Sequence, residues 1–440
     1  MPGDSVDPAD RDLKERGRNN CWKNCGPDAL VRTKASGLQL SKSDGDSCAD
    51  PNNQPRHHRE YLMTDDNDET NAGPELPPLQ PLKVLPYLTA DLAGIDGQWK
   101  ENPEDFVVEE IPAYEPVDAG EHLFLWIEKR DVAAADLVRH IGRTLKCPPG
   151  DIGVAGMKDR RAVTRQYISV PAKFAVGVEQ LNTESIRVLK SARHGNKLRT
   201  GHLHGNHFSI LIRDIVEEDA AARAAAIADR VRQLGFPNYY GQQRFGHNGE
   251  TLQLGLDLLS GRRRSRDIPE PQRRFLRRLS LSAVQSDLFN HALASRLTDG
   301  LLNKVLVGDL MEVVPSGGKF IADDLAAEQP RYDAGQTAVT GPMFGPKMRD
   351  PSGEPFEREQ ELLERSGLLP EHFAKFLNLM AGTRRAYVVR PGELTVTTEP
   401  DGLRFEFSLP SGSYATVLLR EFMKSEAIHL APESEEEGDE

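Results

Sequence analysis

The 440-residue sequence predicts an α+β fold in which strands at both ends of the ordered chain enclose a helix-rich middle. Three observations carry that prediction. Short apolar runs lie at 106–111, 123–129, 167–170 and 208–213. Residues 250–335 lean helical, and strand patterns return at 387–410. Such an order is that of an insertion within one discontinuous domain.

Residues 1–80 read as a disordered polar extension, rich in Asp, Asn, Ser and Pro with no sustained apolar period. Met63 is a candidate translation start, because the ordered pattern begins soon after it. FVVEEI (106–111) and LFLWIEK (123–129) follow as strands. Asp131 is the expected N-cap of a helix from Val132 to Lys146, which Pro148, Pro149 and Gly150 stop. YISV (167–170) and FSILIR (208–213) are strands, and 217–235 is a helix ended by Gly235 and Pro237. The clearest amphipathic helix is LSAVQSDLFNHALASRL, 281–297. Residues 340–355 are expected as a long Gly/Pro-rich loop, 372–380 as a helix, and 414–424 as the final helix. The last ten residues, 431–440, form an acidic tail.

The formal charge of −13 argues against a nucleic-acid partner until it is divided along the chain. The extension contributes −5 and the tail −6, which leaves 81–430 near neutrality at −2. Within that core GRRRSR and RRFLRR place eight arginines between 261 and 278. A second basic segment holds Arg193, His194, Lys197, Arg199, His202 and His204. Both could neutralise phosphates, and both could equally be solvated faces. No run approaches ~20 apolar residues and no secretory signal is visible, so a cytoplasmic protein without membrane spans is expected.

Cys21, Cys25, Cys48 and a histidine at 57 or 58 can be written as a zinc site, but irregular spacing in a polar segment favours incidental thiols. Phosphate-loop, dinucleotide, zinc-protease and serine-hydrolase motifs do not occur. Cofactor-free chemistry or binding is what remains.

The densest chemical segment is GVAGMKDRRAVTRQYISV, 153–170. Gly153 and Gly156 permit a tight turn, and Asp159 lies among Lys158, Arg160 and Arg161. Such neighbours favour the ionised carboxylate, which can act as a nucleophile or stabilise a cationic sugar. An ordinary surface turn explains the same letters. KENPEDFVVEE (100–110) is a strand preceded by a turn. Phe208 beside histidines and arginines suits base stacking or the core, and GFPNYYGQQRFG (235–246) joins stacking faces to hydrogen-bonding groups.

Taken in order, from about Gly97 to the last helix, these segments resemble the TruD family of tRNA pseudouridine synthases. The carriers are K-x-N-P-E-D-F at Lys100 to Phe106, AGMKDRRAVTRQ at Ala155 to Gln166, ARHGNKLRTGHLHGNHF, PNYYGQQRFG, QSDLFN at 285–290, TRRA at 383–386 and LPSGSYATVLLRE at 409–421. The resemblance implies isomerisation of uridine to pseudouridine, typically at position 13 of tRNA, with no cofactor or metal. It implies a catalytic Asp159, supported by Lys100, Glu104, Asn206 and Phe208. It also implies a pseudouridine synthase catalytic domain on a mixed β-sheet flanked by helices, at 81–235 and 382–430, interrupted by a family-specific α/β insertion domain at 236–381. RNA contacts are expected from Lys158, Arg160, Arg193, Lys197, Arg199, Tyr240 and Arg244. The expected partner is tRNA, with no protein partner and a monomeric chain. Two other classes stay open: a tRNA chaperone, and a glycosidase that pairs Asp159 with Glu104 to release uracil.

Overall fold

The structure is a computed structural model that describes residues 82, 84–314 and 316–425. The polar extension, Met63, the Cys21/Cys25/Cys48 set and the acidic tail lie outside the described residues. In chain order the first half comprises β1 (Gln98–Trp99), β2 (Phe106–Pro112), β3 (His122–Arg130), α1 (Ala134–Leu145), β4 (Gly153–Val154), β5 (Val163–Pro171), β6 (Ile186–His194), β7 (Leu203–Arg213) and α2 (Ala220–Leu234). There follow β8 (Phe236–Pro237), α3 (Glu250–Ser260), α4 (Glu270–Thr298), β9 (Leu310–Val313), β10 (Lys319–Ile321), α5 (Leu325–Asp333), β11 (Thr337–Met343), α6 (Gly353–Ser366) and α7 (Pro370–Ala374). The chain closes with β12 (Thr383–Ala386), β13 (Val388–Val389), β14 (Gly392–Glu399), β15 (Gly402–Pro410) and α8 (Ala415–Met423).

Nine strands form the large sheet, ordered β14-β15-β7-β2-β5-β3-β6, with β1 on β7 and β4 on β5. Only β2 and β5 run parallel among these pairs, so the sheet is mixed. Its register decides what the site can be made of. Val108 faces Phe208 and Glu110 faces Asn206, while Val108 lies beside Thr164, and Lys129 and Ile127 face Thr164 and Gln166. Partners in register share a face of the sheet. On that face Phe106, Val108, Phe208 and Phe407 join a core with α2 and α8, whereas Leu125, Ile127 and Ile168 join a separate core with α1. Between the two cores runs a polar seam of Lys129, Thr164, Gln166, Glu110 and Asn206.

Beyond α2 the chain leaves the large sheet through β8 and comes back toward it through β13, which pair antiparallel with Val388 opposite Pro237. Between them β10-β9-β11-β12 form a small sheet. The C-terminal half of α4 is buried on two sides. Phe289 and Leu293 pack with Val339, Met343 and Tyr387 in the first core, while Leu281, Val284 and Leu288 pack with α3, α6 and Phe373 in another.

Several local expectations change. Asp131 does not cap α1; the helix starts at Ala134 with Ala133 as N-cap. Asp131 instead adopts a left-handed conformation, and its N–H donates to the Ala162 carbonyl, tying the end of β3 to the segment after Asp159. Part of the expected 340–355 loop is strand β11, in which position 341 must be glycine because a Cβ there would lie 2.2 Å from the Tyr387 ring. The 372–380 helix shrinks to α7, and α6 and the β9–β10 hairpin stand where no element or only helix was read. Strand β6 went unread, since IRVLKSARH exposes most of its side chains at a sheet edge and lacks apolar alternation.

Candidate active site

The segment from Ala155 to Ala162 connects β4 to β5. Gly153, in β4 just before it, is required by close approach, because a Cβ there would come within 2.3 Å of the Leu198 carbonyl. Downstream, the Gln166 amide donates to the Gly156 carbonyl at 3.4 Å. The side chains of Lys158 and Asp159 then go to different partners. Lys158 turns inward, with its Nζ 3.0 Å from Glu110 Oε2, and both side chains are buried. Burial pushes the Glu110 carboxyl above its ordinary range, against the pull of Lys158 and the Tyr167 N–H. Lys158 is therefore not placed to meet RNA, contrary to the expectation from its sequence neighbours.

Asp159 keeps 24% of its side chain exposed, and its Oδ1 lies 3.1 Å from Lys100 Nζ. Lys100 reaches it from a left-handed backbone position between β1 and the turn that opens β2. Its ammonium sits 4.1 Å from the centroid of Phe106 and 4.6 Å from that of Trp99. These faces favour the cation while shielding it from water. Asp105 anchors the turn. Its buried carboxylate accepts the Asn102 N–H at 2.9 Å and pairs with Arg213 through two bonds of 2.8 and 3.0 Å. Burial alone would raise that carboxyl, but Arg213 and Asn102 outweigh it and hold Asp105 below the usual range.

Glu104 lies in the same turn but is exposed and bound to Arg130 at 2.5 and 3.2 Å. The Arg130 hydrogen bond holds its carboxyl below the ordinary range. Both hydrogen bonds to its carboxylate come from Arg130, and among the described residues it makes none to Lys100 or Asp159.

Asn206 and Phe208 lie two residues apart on β7, on the seam's face. Phe208 is 6% exposed, stacked on Phe407 at 5.3 Å and edge-on to Phe106 at 6.2 Å. An aromatic relay thus connects Phe208 through Phe106 to the Lys100 ammonium. Buried oxygens of Thr164, Gln166 and Asn206 have no hydrogen-bond partner among the described residues. Such atoms are acceptors left open along the seam.

The remaining basic candidates divide. Arg193 and Arg199 are exposed, and Arg160 is exposed with its Nε 3.9 Å from Asp131. Lys197 donates to the Gly150 carbonyl. Arg244 is turned to Ser282 and Ser286 of α4, and Tyr240 is half-buried, its ring 4.2 Å from the Arg385 guanidinium and its hydroxyl on Met343 Sδ. Both pack against neighbouring side chains and stay partly exposed.

Sequence reasoning passed over Glu110 and Lys129. The Lys129 side chain is fully buried, donating to the carbonyls of Val132 at 2.7 Å, Asp159 at 2.6 Å and Lys158 at 3.4 Å. The signal was present: strand alternation puts Lys129 in phase with Leu123, Leu125 and Ile127, and Glu110 in phase with Phe106 and Val108. A charge at an inward position marks something other than core.

The sequence profile of the family described as tRNA pseudouridine synthase D (TruD) matches residues 84–265 and 271–422. The tRNA pseudouridine synthase D of Anaeromyxobacter dehalogenans is 44% identical over 345 residues, covering 78% of this chain and 97% of the relative. That of Thermus thermophilus is 41% identical over 350 residues, covering 79% and 95%. The crystal structure of the protein described as tRNA pseudouridine synthase D from Methanosarcina mazei superimposes with a TM-score of 0.65 at 26% identity, covering 78% of this chain and 97% of that one. Agreement along both halves of the large sheet and the segment between them establishes that the chain belongs to the tRNA pseudouridine synthase D (TruD) family of isomerases.

Proposed function

We propose that the chain converts uridine to pseudouridine at position 13 of tRNA, with Asp159 as nucleophile and no cofactor. The observation that carries this reading is the half-open Lys100–Asp159 pair at 3.1 Å. The reaction breaks the bond between ribose C1′ and uracil N1 and forms one between C1′ and C5; the C5 proton is lost and N1 gains one. Atoms and electrons balance without an oxidant, metal or energy source. Asp159 engages either C1′ or C6 of the base, or draws a ribose proton; all three need an ionised carboxylate in contact with the nucleotide.

Lys100 supplies a fixed positive charge beside Asp159, shielded by two aromatic faces. Asn206 offers an open buried acceptor for a donor on the base. Phe208 backs the site through Phe106, and an approaching uracil meets that aromatic wall. Glu104 acts through Arg130, holding the turn that follows Lys100. Arg160, Arg193 and Arg199 provide exposed charge for phosphates. The β8–β13 pairing and the small sheet support an insertion at about 236–381 between catalytic parts 81–235 and 382–430. No helix among the described residues is long and apolar enough to cross a membrane. The family resemblance is what supports reading the chain as a monomeric cytoplasmic enzyme.

The test incubates the protein and its Asp159→Asn variant with unmodified tRNA transcript and maps pseudouridine by carbodiimide labelling and primer extension. A stop at position 13 in the parent and none in the variant is expected. Free uracil in place of pseudouridine would identify a glycosidase, and unaltered tRNA bound tightly would identify a chaperone.

A further inference from the structure

We infer that Lys129 is a positioning residue for turnover: its buried ammonium pins the backbone of Asp159, and its positive charge is required to keep the carboxylate where the reaction needs it. The inference rests on Asp159 being the nucleophile. β3 directs Lys129 into a face otherwise occupied by Leu123, Leu125 and Ile127, and no part of its side chain reaches solvent. Burying an ammonium is costly unless its hydrogens and its charge are answered. Three carbonyl oxygens answer the hydrogens, on Val132, Lys158 and Asp159. Among the described residues no carboxylate lies within ion-pair distance of its Nζ, so the charge is answered only at longer range. Asp159 and Asp131 favour it and Lys158 opposes it. Opposite it in register stand Thr164 on β5 and Ile186 on β6, both uncharged. Glu110 of β2 is already engaged by Lys158.

The arrangement divides the work on one residue. Lys100 meets the Asp159 side chain from one direction, and Lys129 holds its carbonyl from the other. Gln166, on the Gly156 carbonyl, secures the earlier part of the same loop. A displacement near 1 Å at a reacting group can cost about 10²-fold in rate. Removing the Lys129 charge should therefore lower kcat by about 10- to 100-fold while tRNA affinity holds within about 2-fold.

Acidity separates this role from a purely architectural one. Burial lowers the Lys129 ammonium to about 8. Kcat of the parent should fall as pH rises through about 8, as the pinning charge is lost. Global stability should respond oppositely. The unfolded lysine keeps its proton to ~10.4, so between the two values the unfolded state binds more protons and this group's contribution to stability rises with pH.

The experiment measures kcat and tRNA Kd from pH 6.5 to 9.5 for the parent, Lys129→Met and Lys129→Arg, with thermal unfolding at each pH and Asp159→Asn as reference. Expected are a lower, pH-flat kcat in Lys129→Met and an alkaline limb moved to higher pH in Lys129→Arg. Parent-like kcat in Lys129→Met, or an unchanged alkaline limb in both variants, would overturn the inference. A parent kcat that does not fall between pH 7 and 9 would overturn it even if neither variant folds. Activity retained by Asp159→Asn would instead defeat the nucleophile reading, whatever Lys129 does.

Discussion

The Asp159 loop and the Arg384 seam both hold a carboxylate against a cation, and they do so in opposite styles. In the small-sheet region Arg384 grips Glu359 through two bonds of 2.7 and 2.8 Å, and also reaches the Thr340 carbonyl and hydroxyl. Arg296 and Asp309 repeat the pattern at 2.6 and 2.9 Å. All four side chains are buried, and the acceptor positions of the carboxylates are largely spent on the guanidinium. Asp159 meets Lys100 through one oxygen and keeps part of its surface open. A closed pair fixes the junction of α6 and β12; an open pair leaves lone pairs for a reactant. Charge pairing alone does not separate structure from chemistry, but unspent acceptor capacity does.

The largest effect that would break this contrast is on turnover. Asp159→Asn should reduce kcat by about 10³-fold or more, since a nucleophile is removed, while thermal stability moves by no more than about 2 °C. Single-turnover assays with matched melting curves check both halves. Arg384→Met should do the reverse. It strands Glu359 in the interior and should cost about 3–5 kcal/mol of stability with activity per folded molecule unchanged, as denaturant titration and active-site counting would show. Because burial already raises the Glu359 carboxyl, protonation at low pH should relieve the stranded charge, and the deficit should shrink as pH falls. Lys100→Met should sharpen the comparison: about a 10-fold loss in kcat with a stability change within about 1 kcal/mol. The smallest effect is expected at the exposed cations, where Arg199→Ala should lower the slope of log Kd against log salt for tRNA by about 1 and leave kcat unchanged.

Much of this arrangement was legible in the sequence, for identifiable reasons. Strands β2 and β3 stand out as short apolar runs, and the Lys100 and Asp159 motifs lie on either side of them. The period of two along a strand puts Lys129 and Glu110 on the inward face, but a charged residue near a strand end reads first as the end of the strand. Lys158 was not legible, because a loop has no period to say which side chain turns inward. Tyr240 and Arg244 carry the residue types of an RNA surface, and only the packing of α4 reveals that their partners are Met343, Arg385 and two serines. Edge strand β6 defeats pattern reading because both its faces are largely polar.

The first core has a thermodynamic consequence. It runs from the sheet residues Phe208 and Phe407, through Phe236 and Tyr239 at the β8 crossing, to Phe289 and Tyr387 beyond it. Two sheets joined by a two-residue clasp could melt one after the other, yet here they share one dehydrated interior. Calorimetry should record a single endotherm whose van't Hoff and calorimetric enthalpies agree, because neither sheet can open without wetting the other.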